Sequence, residues 1–293
     1  MEIIEMQKTK RKSRISALKA LLGILLAIVI LAIAQSLAFS ISEIFLNAGL
    51  PGAICNILAG ILYVVLAFLG VDLFCRKYLK ISREKMRIPG FRLKPVWVLS
   101  AVLMPVLVLL ISLAFGGHWE INRFDTATTL AMITGAVAFY GLATGIVEEM
   151  IFRGLVMGCL EERFGKKIAV IVPSVLFGAL HIIGNRLDFV STIQLLIAGS
   201  IVGILFSLIT CTDNSVWNSA IVHGIWNMAI IGGILHIGDG ADSSSMFNFV
   251  LKNKSFLVSG GDFGIEASVI SIFVYLIFCA LAAVYGRGKQ KRV

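Results

Sequence analysis

The chain has 293 residues, 58% of them hydrophobic and only 15% charged, a balance that describes a polytopic membrane protein and excludes a soluble domain built round one core. The net charge of +9 invites a nucleic-acid reading, but the basic residues sit between apolar segments and at the termini, where they orient membrane spans, so no nucleic-acid partner is expected. The five cysteines (Cys55, Cys75, Cys159, Cys211, Cys279) are scattered in or beside apolar runs with no CxxC pair, and read as free thiols.

Residues 1–19 form a polar, basic segment with Lys8, Lys10, Arg11, Lys12, Arg14 and Lys19, and an uncharged run follows over 20–42. That run is too long for the apolar region of a signal peptide, so it reads as the first span. The second span falls at about 50–71 and the third at about 96–115. Between them, Arg76 to Lys94 carries eight basic residues against one acid, Glu84. Further spans at about 128–160, 168–183, 189–209, 216–235 and 265–285 bring the total to eight. The fold class is therefore all-α, a bundle of about eight transmembrane helices over 20–285 with a basic tail at 286–293. The 128–160 segment exceeds what a bilayer requires and must tilt, break or extend beyond it. An eight-span alternation puts both termini, the 76–94 loop and the 161–167 segment on one side, which the positive-inside rule makes cytoplasmic. The turn at 210–215 lies on that side too, yet carries Asp213 and no Lys or Arg. Small residues four apart (Gly141/Gly145, Gly154/Gly158, Gly199/Gly203) allow close helix packing.

The apolar fourth segment is interrupted by Glu148-Glu149-Met150-Ile151-Phe152-Arg153. Ionisable residues at membrane depth are costly and mark sites. Glu149 and Arg153 are one helical turn apart and can neutralise each other, a pairing that reads as support for the site. Glu148 points about 100° away and is left without that partner, free to act as a general base. His181 ends the fifth segment, and His223 and Asn227 lie one turn apart in the seventh. At about 1.5 Å per residue, Glu148, His181, His223 and Asn227 all fall roughly 10–20 Å from the basic side, so three helices bring four polar groups to one layer. Each alone is explained by helix packing; the four together are not. A carboxylate and an imidazole can deprotonate water while a second imidazole and an amide hold an oxyanion. Glu148, His181 and His223 are also a zinc-type ligand set, which leaves the cofactor as none or zinc. There is no HExxH, no GxSxG and no pair of intramembrane aspartates. Other readings are a proton-coupled transporter and a non-catalytic immunity or scaffold protein.

These residues resemble the CAAX prenyl protease type II family, also called the CPBP or Abi intramembrane proteases. The family pattern, Glu-Glu-x-x-x-Arg, Phe-x-x-x-His and His-x-x-x-Asn on separate helices, stands here as Glu148 to Arg153, Phe177 to His181 and His223 to Asn227. The resemblance covers about 128–235 and leaves the first three spans and the last without a motif. It implies an intramembrane endopeptidase in which Glu148 and His181 activate the water, His223 and Asn227 form the oxyanion site, and Glu149 and Arg153 support the first motif. It also implies a membrane-associated peptide or protein substrate in a lipid bilayer, expected in a bacterial cell membrane. The processing roles it suggests are CAAX-type cleavage, bacteriocin immunity and peptide maturation. The Asn of the third motif suits an oxyanion site better than zinc.

Overall fold

The computed structural model describes residues 15–290. The basic residues Lys8, Lys10, Arg11, Lys12 and Arg14 lie outside them. In chain order the helices are α1 (Ala17–Asn47), α2 (Gly52–Leu79), α3 (Pro95–Ala114), α4 (Thr126–Phe164), α5 (Lys166–Leu180), α6 (Phe189–Asp213), α7 (217–231) and α8 (Val269–Gln290). Ser16, Asp125 and Asp188 cap α1, α4 and α6 by accepting a hydrogen bond from the amide three residues on. Gly165, at φ 86°, ends α4 and starts α5 without a longer loop.

Among the described residues, six helices are long and apolar enough to cross a membrane, where eight spans were expected. The two shorter ones are α5 and α7, of about 15 residues each, hence about 22 Å against the ~30 Å of a hydrocarbon core. Their apolar runs continue past the helices. Beyond α5 the chain turns at 181–184, and beyond α7 it turns at Gly232-Gly233 and enters a strand. Hydropathy alone cannot tell such a tail from more helix. The last span likewise begins at Val269, because Ile265–Ala267 is a separate 3₁₀ turn.

The bundle is sorted by residue size. On α1 the buried positions are small (Ala20, Gly23, Ala27, Ala34, Ala38), while Leu18, Leu25 and Ile33 face outward. In lipid, outward leucine costs nothing and close backbone approach supplies the packing, so small residues belong inside. Two crossings depend on this. A methyl group on Gly145 of α4 would lie 2.8 Å from Gly224 Cα of α7, and one on Gly199 of α6 would lie 2.6 Å from Gly178 Cα of α5. Gly154 and Gly158 serve differently, receiving the side chains of Ile88 and Met86 from the α2–α3 connection.

The two ends of the bundle differ. At one end the basic segments meet: Arg87 pairs with Glu161, and Asp213 accepts from Lys94, Lys289, Trp97 Nε1 (2.6 Å) and Asn218 Nδ2 (3.1 Å). Asp213, which sequence made neutral to the topology, thus ties α3, α7 and α8 to the end of α6. At the other end lies a feature absent from the expected all-helical picture, a three-stranded sheet. Its strands are β1 (Gly117–Ile121), β2 (Leu235–Gly238) and β3 (Phe247–Leu251), in the order β1-β3-β2. The register sets Trp119 opposite Phe249 in the antiparallel pair, and β2 runs parallel to β3 with Ile237 opposite Phe249.

Candidate functional site

Helix α4 is regular over Thr144–Glu149 but wound more widely on both sides, over Gly135–Ala143 and Met150–Val156. Wide π turns alter the direction in which side chains leave a helix and recur at functional sites. Here they bracket the two carboxylates. Glu149 points into the bundle and is fully buried; Glu148 keeps 17% of its side chain exposed and lines a cavity.

Glu149 is the hub of the buried side. Its Oε1 accepts from Arg153 Nη1 at 2.9 Å and lies 3.2 Å from His223 Nδ1. A carboxylate offers only acceptors, so His223 donates from Nδ1. Arg153 is fully buried and donates a second bond, from Nη2 to the carbonyl of Gly203 on α6 at 3.1 Å. Its guanidinium sits 4.7 Å from the Phe177 ring and 5.2 Å from that of Phe206, faces that suit a buried cation. Phe206 also stacks on His223, with ring centroids 4.8 Å apart and an interplanar angle of 18°. The imidazole is therefore held on its edge by Glu149 and on its face by Phe206. The Gly145–Gly224 crossing brings α7 close enough for this.

With Nδ1 occupied, His223 turns Nε2 toward Glu148, 3.7 Å from its Oε2. That gap exceeds a direct hydrogen bond. His181, the C-cap residue of α5, holds its Nδ1 2.7 Å from the Phe177 carbonyl, one turn back, which fixes the ring and leaves Nε2 free. Asn185 donates to the His181 carbonyl at 2.8 Å. Asn227 begins the wide final turn of α7.

Glu148, His181, His223 and Asn227 all line one cavity of about 550 Å³, within the range of small-ligand sites. Glu149 and Arg153 lie behind its wall. Aromatic and aliphatic residues of α1, α4 and α6, among them Phe39, Tyr140, Val202 and Phe206, make up the apolar lining. The cavity also contains residues that sequence reading passed over: Asp262, Phe263, Glu266 and Tyr275, from the connection before α8 and from α8 itself. The only local signal for Glu266 was an acid bordering the last apolar run, and nothing in its neighbours linked it to the distant motifs.

Among the described residues no three His, Cys, Asp or Glu side chains converge closely enough to hold a metal ion. His223 and His181 engage Nδ1 with Glu149 and the Phe177 carbonyl, respectively, and leave Nε2 uncommitted.

Residues 130–229 match the family model described as type II CAAX prenyl endopeptidase Rce1-like. No curated protein and no solved structure matches the chain. The matched stretch begins in α4 and ends in α7, and it contains Glu148, Glu149, Arg153, His181, His223 and Asn227.

Proposed function

With an Rce1-like domain as the premise, a domain of a protease family, we propose that this integral membrane protein is an intramembrane endopeptidase acting on membrane-associated peptides or proteins. Its substrate class is that of CAAX-type processing. The observation that carries the reading is the convergence of Glu148, His181, His223 and Asn227 on one cavity within the bundle. The dense positive charge at the Asp213 end favours an orientation with that end, and both termini, in the cytoplasm.

The mechanism follows from which atoms are free. A water between Glu148 and His181 Nε2 gives a proton to the carboxylate as its oxygen attacks the scissile carbonyl. Charge then gathers on the carbonyl oxygen. His223, donating to Glu149 from Nδ1, presents a second N–H at Nε2 in its charged form, and the Asn227 amide supplies a further donor. Glu149 holds that imidazole in place and balances its charge, while Arg153 pairs with Glu149 from behind. Apolar walls exclude bulk water and strengthen each of these interactions.

The test compares wild type with Glu148→Gln, purified in detergent, on a fluorogenic peptide bearing an S-farnesyl cysteine three residues from its C-terminus. Cleavage after that cysteine by wild type, reduced at least 100-fold in a folded Glu148→Gln variant, is the expected result, in line with the usual worth of a general base. Peptide profiles of membranes from cells carrying either form extend the test to other substrates. Equal cleavage by the two forms, or none by wild type on any membrane peptide, returns the weight to transport or a non-catalytic role.

A further inference from the structure

The matched segment ends at residue 229, yet part of the cavity wall comes from beyond it. Glu266 lies in the 3₁₀ turn Ile265–Ala267, which packs on α6, β2 and α8. The chain reaches this position through a tight reversal. Gly260 and Gly264 both have φ near 93°, and a Cβ on Gly260 would fall 1.6 Å from the Gly264 carbonyl oxygen. Only glycine allows that approach. Several bonds then anchor the turn: Ser271 Oγ donates to the Ile265 carbonyl at 2.7 Å, and Tyr275 Oη to the Glu266 carbonyl at 3.3 Å.

The side chain is fixed at one oxygen. Trp226 Nε1, one residue before Asn227, donates to Glu266 Oε1 at 2.8 Å. The other oxygen is not sealed off in the way that Glu148 Oε2 and Glu149 Oε2 are, and it opens on the cavity. Glu148, His181 and His223 lie within Coulombic reach. The site therefore gathers four carboxylates, Glu148, Glu149, Asp262 and Glu266, with the Arg153 guanidinium and the imidazoles of His181 and His223. Burial raises the Glu266 carboxyl above the usual range, against the pull of the Trp226 donor and the two imidazoles.

We propose that Glu266 is a further catalytic residue of this site, the acid that protonates the departing amine while Glu148 accepts the proton of the attacking water. The proposal rests on the endopeptidase reading above. The water O–H bond breaks, its proton passes to Glu148 and the oxygen adds to the carbonyl carbon. As the tetrahedral intermediate collapses, the C–N bond breaks and nitrogen takes the Glu266 proton, releasing an amine and a carboxylic acid. The product acid loses its proton to solvent. The proton on Glu148 returns to Glu266 through the cavity, and the cycle closes without another reactant. Two carboxylates thus divide the acid and base roles by their surroundings.

The test uses the full chain in detergent with two probes, the S-farnesyl peptide and its analogue with a p-nitrophenyl ester at the scissile position, whose leaving group needs no proton. Glu266→Gln keeps an acceptor for Trp226 but has no acid. It is expected to lower kcat on the peptide about 100-fold with KM little changed, and to retain most of the ester activity. Peptide cleavage at the wild-type rate, or equal losses on both probes, overturns the proposal while leaving the endopeptidase reading intact. No cleavage of either probe by wild type removes both. Trp226→Phe guards against a Gln variant that fails to fold. It keeps the acid and removes a donor that favours the ionised form, so the alkaline limb of kcat should move to higher pH. The other titratable groups on the cavity are Tyr140, Glu148, His181, His223, Asp262 and Tyr275, all unchanged in that variant. An unmoved limb overturns the assignment.

Discussion

Removing Glu149 should do more harm than removing Glu149 and Arg153 together. Both side chains are fully buried, and Glu149 Oε1 is the shared acceptor for Arg153 and His223. In Glu149→Leu the guanidinium loses its ion-pair partner and keeps the Gly203 carbonyl and the faces of Phe152, Phe177 and Phe206, none of which carries a compensating charge. Breaking a buried pair from one side costs about 3–5 kcal/mol, a large share of the ~5–15 kcal/mol that holds a protein folded. At about 2–4 °C per kcal/mol for a chain of this size, the melting temperature should fall by about 10 °C. Arg153→Leu should fall comparably, since it strands the carboxylate. The double Glu149→Leu, Arg153→Leu variant buries no unpaired charge and should recover most of the loss. It should remain inactive, because His223 has lost the acceptor that orients it. Thermal unfolding in detergent, read beside peptide cleavage, measures both. A double variant melting below either single variant, or one that cleaves normally, would refute the reasoning.

Three further outcomes follow from the geometry. Gly224→Ala puts a methyl group 2.9 Å from the Gly141 carbonyl oxygen, so α4 and α7 must part. We expect about 1–3 kcal/mol of destabilisation and a drop in cleavage of about 100-fold from the displaced His223, with unchanged kinetics counting against the crossing as the positioning device. Asp213→Asn should cost less than Glu149→Leu, about 1–2 kcal/mol, because Lys94 and Lys289 keep 31% and 40% of their side chains exposed and can turn to water; a melting shift as large as that of Glu149→Leu would contradict this. At the sheet end, burial works to raise the Asp242 carboxyl, but the Ser244 amide and hydroxyl and the Ser245 hydroxyl hold it below its usual range. A depressed carboxylate adds stability above its unfolded value of about 3.9 and loses it as pH falls through the folded value. Proteolytic nicking of 233–251 should therefore rise below about pH 4 in wild type and be raised at all pH values in Asp242→Ala. A flat wild-type profile would argue against the brace.

What the sequence determined by itself is local. The apolar runs and the basic segments between them were enough for a helical membrane bundle, because a 20-residue apolar stretch in lipid has few alternatives to a helix. The one-turn spacing of Glu149 and Arg153 was legible for the same reason, since helical periodicity is written in the chain. So was the list Glu148, His181, His223 and Asn227, as polar side chains out of place in apolar runs. Tertiary structure decided the rest. It shortened α5 and α7, turned their apolar tails into a bend and a strand, and built β1-β3-β2 from segments that read as loops. It joined His223 to Glu149 across 74 residues, Asp213 to Lys94 across 119, and Glu266 to Trp226 across 40. Such contacts have no period and leave no trace in the neighbouring residues. They arise because a buried polar group in an apolar bundle must find its partner in space, wherever along the chain that partner lies.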